Sequence, residues 1–144
     1  MLVRQILNAK QSAGVVTILP ESTISEAAET LSKRRFGALI VSSDGETPLG
    51  IISERDIVRE LGKRGPDCLG ETVEHMMTAK LVTSSLDETA DQVLLKMSDG
   101  RFRHMPVLED GKMVGLISIG DVVKARLSEL AMEKDALEGM IMGH

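Results

Sequence analysis

Gly50-Ile51-Ile52-Ser53-Glu54-Arg55-Asp56-Ile57-Val58 and Gly115-Leu116-Ile117-Ser118-Ile119-Gly120-Asp121-Val122-Val123 say nearly the same thing twice. Each stretch runs from a short apolar segment into a helical pattern and sets a hydroxyl three residues before a carboxylate. One such motif is an ordinary helix start. Two in register mark a duplicated unit with two equivalent sites. Asp56 and Asp121 are 65 positions apart, whereas Arg35-Phe36 and Arg101-Phe102, and likewise Thr17 and Thr83, are 66 apart. The one-residue slip therefore falls between Phe36 and Gly50, around the turn-forming Asp44-Gly45 and Asp110-Gly111, where a loop tip absorbs an insertion at little cost.

Around the motifs the chain reads as two β-α-β-β-α units, an α+β architecture. Residues 2–9 suit a short leading helix. Val15 to Leu19 is a brief β-branched run, and Thr23-Ile24-Ser25-Glu26 is a capping box opening a helix with Ile24, Ala27, Ala28 and Leu31 on its apolar face. Strands at Ala38 to Val41 and Leu49 to Ile52 form a hairpin, followed by a helix from Glu54 to Leu61 that Gly62 stops. The stretch 62–79 reads as a linker with one helical turn at Val73 to Met76. The second copy repeats the order: a strand at Leu81 to Thr83, a helix with Ala90, Val93, Leu94 and Met97 inward, a hairpin from His104 to Leu108 and Met113 to Ile117, and a helix from Asp121. A unit of roughly 60 residues buries too little surface to be stable alone, so the two copies are expected to share a core. The last helix is longer than its counterpart. Val123, Leu127, Leu130, Leu137 and Ile141 recur at steps of four and three, which suits packing either on the module itself or on a second chain.

Composition narrows the function classes. A net charge of −5 and an absence of Trp and Tyr argue against a nucleic-acid surface, which needs basic patches and stacking rings. The only aromatics, Phe36 and Phe102, hold equivalent positions and read as core packing. No apolar run reaches the ~18 residues of a membrane span, and the start of the chain lacks a signal-peptide layout. With Cys68 as the one cysteine, the expected address is the cytoplasm. His75, His104 and His144 lack ligand spacing, so no metal site is expected. No acid–base pair, activated nucleophile or phosphate-binding Gly-rich loop points to an enzyme, and no catalytic residue is assigned.

The Ser-x-x-Asp pairs carry the chemistry. They can act simply as helix caps. They also stand at strand-to-helix junctions, where a carboxylate suits the adjacent hydroxyls of a ribose and a phosphate would need a nearby cation. Cations are present but unevenly spread: Arg55 stands where the second copy has Gly120, and Arg103-His104 where the first has Gly37-Ala38. Lys33-Arg34-Arg35 reads as a solvated helix end, with a phosphate role left open.

The duplicated β-α-β-β-α pattern, the paired motif and Arg103-His104-Met105-Pro106-Val107 together resemble a pair of cystathionine-β-synthase (CBS) domains, the arrangement called a Bateman module. On this resemblance residues 8–62 are the first CBS motif, 63–79 the linker, 80–130 the second motif and 131–144 a C-terminal helical extension. The resemblance implies two copies packed with pseudo-twofold symmetry and two clefts between them that bind AMP, ADP, ATP, NAD(H) or S-adenosylmethionine. It implies that Asp56 and Asp121 hold ribose hydroxyls, supported by Ser53 and Ser118, that Thr17 and Thr83 line adenine pockets, and that Arg55, Arg103 and His104 meet phosphates. Ala38, the small counterpart of His104, would leave room in its cleft. It also implies a homodimer and a regulatory, non-catalytic role toward a separate protein. The alternative is an interaction scaffold with vestigial clefts.

Overall fold

A computed structural model of the chain describes residues 1–10 and 15–141. The first repeat comprises β1 (Thr17–Ile18), α2 (Ile24–Arg34), β2 (Ala38–Val41), β3 (Gly50–Ser53) and α3 (Glu54–Arg64), and helix α1 (Val3–Ala9) precedes it. The second comprises β4 (Ser84–Ser85), α5 (Ala90–Gly100), β5 (His104–Glu109), β6 (Lys112–Ser118) and α6 (Ile119–Ile141), preceded by a 3₁₀ turn (Pro66–Gly70) and the one-turn helix α4 (Val73–Met76). Each repeat forms its own three-stranded sheet, ordered β1-β2-β3 and β4-β5-β6, with the first pair parallel and the second antiparallel.

Local chemistry explains most of the element ends. Thr23 and Thr89 cap α2 and α5 by accepting the N–H groups of Glu26 and Gln92, each at 3.1 Å. Both helices end on an arginine in the left-handed region, Arg35 and Arg101, each at φ 56°. In the β5–β6 hairpin Asp110 and Gly111 both take positive φ, the geometry that a two-residue hairpin turn requires. The longer β2–β3 loop closes on Asp44, whose carboxylate accepts the N–H groups of Thr47 and Glu46 and the Ser42 hydroxyl, and is held down at about 2.

Three expectations are corrected. Helix α3 does not stop at Gly62 but continues to Arg64, ending where Gly65 takes a φ of 77° ahead of Pro66. The first strand of the second repeat is not Leu81 to Thr83 but Ser84–Ser85. The cause is Pro106, which occupies the place of Ile40. In the first repeat Thr17 pairs with Ile40 and the Ser42 N–H bonds Ile18, so alternate amides of β2 face β1. The proline offers no amide there, and pairing begins one residue later, Ser84 opposite Val107. Third, the copies do not share one core. Ile24, Ala27, Leu31, Leu39, Val41, Ile52, Ile57 and Val73 form one buried cluster. Val3, Ile6, Ala90, Val93, Met97, Met105, Val107, Ile117, Val122 and Ala125 form another.

Val73 in the first cluster and Val3 and Ile6 in the second reveal how the repeats are joined. Each leading helix packs on the opposite repeat. The Val3 N–H bonds the Glu88 carbonyl, and the Val73 N–H bonds that of Ser22. Arg4 to Leu86 is matched by Glu74 to Pro20, and Ala90 to Met1 by Ile24 to Glu71. The leading segments are thus related by 70 positions and the repeat bodies by 66. Three backbone hydrogen bonds, duplicated atom for atom, express the pseudo-twofold symmetry.

The glycine that opens each motif serves this crossing. A Cβ on Gly50 would lie 2.5 Å from Met77 Sδ and 2.9 Å from the Thr78 carbonyl, and one on Gly115 would lie 2.7 Å from Leu7. The close approach is to the crossing segments. Gly50→Ala is expected to destabilise the chain by about 1–3 kcal/mol in chemical denaturation, because a backbone carbonyl must move. Gly62→Ala, with nothing near its Cβ position in mid-helix, should instead stabilise by about 0.5–1 kcal/mol. Equal effects at the two sites would reject this account.

Candidate functional site

Both Ser-x-x-Asp motifs are reciprocal helix caps. The Ser53 N–H bonds Asp56 Oδ2 at 3.0 Å and the Asp56 N–H bonds Ser53 Oγ at 3.2 Å. In the second copy the distances are 2.9 Å from Ser118 N to Asp121 Oδ2 and 3.1 Å from Asp121 N to Ser118 Oγ. The caps orient each carboxylate and commit Oδ2. On Asp56 the remaining oxygen accepts the exposed Arg59 guanidinium at 2.9 Å. On Asp121 the Lys10 ammonium adds to Oδ2 at 2.9 Å and also donates to the Leu116 carbonyl at 2.8 Å, and Oδ1 has no protein partner among the described residues. Burial alone would push the Asp121 carboxyl up, but the Ser118 N–H and the Lys10 ammonium outweigh it and hold it below the usual carboxylate range.

Two cavities flank the junction of the repeats, of about 1020 Å³ and 650 Å³. The larger takes Ser53, Arg55 and Asp56 from the first motif and Arg101, Arg103 and His104 from the second repeat, with Lys80, Leu81 and Val82 from the crossing segment. The smaller reverses the origin: Gly115, Leu116 and Ser118 come from the second motif, Arg34, Arg35 and Ala38 from the first repeat, and Lys10, Val15 and Val16 from the segment after α1. The larger cavity is also edged by Ser118, Ile119 and Gly120, so both motifs meet it, whereas the smaller meets the second motif alone; each cleft is built from both repeats. Arg55 and Arg103, whose cleft the sequence leaves open, stand together in the Asp56 cleft. Thr17 and Thr83 lie just beyond the lining residues Val16 and Val82 and line neither cavity, and the Thr83 carbonyl accepts Lys96 at 3.2 Å. Asp121 also lines neither cavity; its ion-pair partner Lys10 lines the smaller one, called the Asp121 cleft below.

His104 lines both cavities. Its ring occupies the space that a side chain on Gly37 would fill, with Cε1 3.1 Å from the Cβ position there. Burial pushes the imidazole below its ordinary range. Asp121 and Glu54 oppose that shift, while Lys10 and Arg103 add to it.

Arg34 and Arg35, for which the sequence leaves a phosphate role open, line the smaller cleft, and Lys10, Lys80, Arg59 and Arg101, which sequence reasoning did not assign, also line the clefts. Two signals existed. Arg35 and Arg101 belong to the matched Arg-Phe pairs, and Lys10 and Lys80 match at the 70-residue offset of the leading helices. Phe36 and Phe102 pack against their own cores, as expected of core residues, and each also edges a cleft.

A depressed His104 means that the unfolded chain binds the proton more readily than the native one. Stability then falls as pH drops from about 7 through the ordinary imidazole value of 6.5 toward the lower native pKa. His104→Asn should flatten that fall between pH 7 and 5 in denaturation measured at several pH values. Parallel profiles for the two proteins would sink the assignment.

Among the described residues no helix is long and apolar enough to cross a membrane. A family profile for the CBS domain matches residues 3–63 and 73–128. A mitochondrial CBS domain-containing protein from Arabidopsis thaliana is 35% identical over 127 residues, spanning 85% of this chain, and the chain covers only 62% of that relative's length. The crystal structure of a CBS-domain protein from Agrobacterium tumefaciens superposes with a TM-score of 0.83 at 41% identity, covering 88% of this chain and 99% of that one. The CBS domain pair of protein MJ0100, in complex with 5′-methylthioadenosine and S-adenosyl-L-methionine, gives 0.77 at 28% identity over 90% and 98% of the two chains. A Pyrobaculum aerophilum CBS domain protein complexed with AMP gives 0.76 at 26% identity over 92% and 99%. With its two sheets, crossed leading helices and paired motifs, the chain belongs to the CBS-domain family and carries a pair of CBS repeats.

Proposed function

We propose that this chain is a non-catalytic regulatory module that binds an adenosine nucleotide (AMP, ADP, ATP or NAD(H)) between its repeats and signals occupancy by a change in their packing. One observation carries the reading. Nine of the 17 lysines and arginines are ion-paired: Arg4, Lys10, Lys33, Arg59, Arg64, Lys96, Lys112, Arg126 and Lys134. Of the eight with no ion pair among the described residues, Lys63 and Lys124 lie away from the clefts. Arg34 and Arg35 line one, and Arg55, Lys80, Arg101 and Arg103 line the other. On a chain of net charge −5, the uncompensated positive charge is gathered where an anion would sit.

The rest of a nucleotide finds matching chemistry. A carboxylate fixed by its cap accepts ribose hydroxyls, and Val15-Val16 or Leu81-Val82 offer an apolar wall to the base. Relatives crystallised with AMP or with S-adenosylmethionine and methylthioadenosine support an adenosine compound. Because each cleft is built from both repeats, a ligand that bridges them favours one relative packing over others, and that differential affinity is what a partner protein would read.

Calorimetric titration should detect binding of at least one of these nucleotides at micromolar concentration. Asp56→Asn and Asp121→Asn keep the cap's shape but remove the charge, and together they should weaken binding about tenfold or more, since a hydrogen bond to a charged group contributes about 1.5–3 kcal/mol. No binding of any of them at millimolar concentration would reject the proposal. Turnover of ATP or NADH that a cleft substitution abolishes would overturn its non-catalytic part.

A second reading, a homodimeric scaffold, is favoured by α6. Leu127, Leu130 and Leu137 are about half exposed or more, and Ile141 is 84% exposed. This apolar row lies beyond Ala125, the last residue of the helix in the second core. Sedimentation at micromolar concentration is expected to give about twice the 15.6 kDa chain mass, and a monomer mass would exclude dimerisation through this helix.

A further inference from the structure

We propose that the two clefts sort adenosine ligands by phosphate charge, the Asp56 cleft taking a nucleoside di- or triphosphate and the Asp121 cleft a monophosphate or an unphosphorylated adenosine compound. The inference rests on the nucleotide reading above and goes further by assigning a ligand class to each cavity.

Four cations without a carboxylate partner among the described residues, Arg55, Lys80, Arg101 and Arg103, line the Asp56 cleft, against Arg34 and Arg35 in the other. Lys10 also reaches the smaller cleft, but its charge is neutralised by Asp121 at 2.9 Å. Glu54 is the counterweight on the larger wall. Even against it, three of the four free cations remain in excess there.

Position reinforces number. Arg101 and Arg103 come from the second repeat, Arg55 from the first and Lys80 from the crossing segment, so they approach the cavity from three parts of the chain. An extended polyphosphate, whose charge is spread along its length, is met better by such a distributed set than by the adjacent pair Arg34-Arg35. Space agrees, at about 1020 Å³ against 650 Å³. His104, with its proton affinity lowered by burial, stands between the cavities as a wall that adds little positive charge to the smaller one at neutral pH.

The test is titration of ATP and of AMP into the wild-type chain and two double variants. Arg55→Ala with Arg103→Ala should weaken ATP at least tenfold and leave AMP within about threefold. Arg34→Gln with Arg35→Asn should do the reverse. Asparagine is chosen because position 35 holds a φ of 56°, which it tolerates. All four arginines are exposed, so the substitutions leave both cores intact. The sorting is overturned if ATP and AMP weaken together in either variant, or if ATP is the ligand lost with Arg34 and Arg35. A wild-type chain that binds neither nucleotide overturns the nucleotide reading itself, whereas one that binds both with a common response to the variants overturns only the sorting.

Discussion

Neither repeat can complete its interior from its own strands and helices. The open side of each sheet-and-helix layer is closed by a helix that belongs, in chain order, to the opposite copy. Val3 and Val73 are fully buried at these two places, and the amides that begin each leading helix are satisfied by carbonyls of the repeat it covers. Those amides are orphan donors at a helix start, so the exchange supplies both an apolar plug and the hydrogen bonds that terminate it. Everything else in the molecule is set by this crossing. It brings Leu7 against Gly115 and Met77 against Gly50, and it delivers Lys10 and Lys80 to opposite clefts.

The clefts inherit their character from the same economy of parts. Ser53 with Asp56, and Ser118 with Asp121, are helix caps first, and a protein without any ligand would still need them to start α3 and α6. Capping uses Oδ2 and the serine hydroxyl, which leaves Oδ1 of Asp121 without a partner among the described residues and Oδ1 of Asp56 to the exposed Arg59. A structural role and a binding role are therefore compatible in one carboxylate. The concentration of unpaired arginines and lysine around these acceptors is a different matter. Like charges gathered around one cleft repel each other, and nothing in the packing of either core requires them there.

Much of the fold was legible because it is written locally and twice. The Thr23 cap, the Asp-Gly turns, the apolar runs of β2 and β3 and the 65- and 66-residue registers all follow from neighbours in sequence. The failures share a cause as well. The end of α3 depends on Gly65 and Pro66 rather than on a tolerated glycine inside an exposed helix turn. The late start of β4 depends on the missing amide of Pro106, a strand away. The crossing of the leading helices obeys a 70-residue register because the four extra residues fall between α1 and β1, and a repeat search centred on the motifs does not register it. Assigning residues to clefts failed for the same reason: each cleft is made from opposite copies, so a residue's place in its own repeat says nothing about the company it keeps. Of the motif residues, the serines and Asp56 were placed by local reasoning. Lys10, Lys80 and Arg101 were visible only after the repeats were set against each other in space.

The crossing also imposes a timetable on the growing chain. The first core needs nothing beyond α4, so it can close soon after Met76 leaves the ribosome. The second draws on Val3 and Ile6 on one side and on Val122 and Ala125 on the other, and it must wait until Ala125 has been made. At synthesis rates of about 5–20 residues per second, α1 remains without its docking site for on the order of ten seconds. Seven residues are too few to hold a helix unaided. Helix α1 is thus made well before the repeat that seats it, and until it docks, the second repeat of a neighbouring nascent chain offers it an equally good seat.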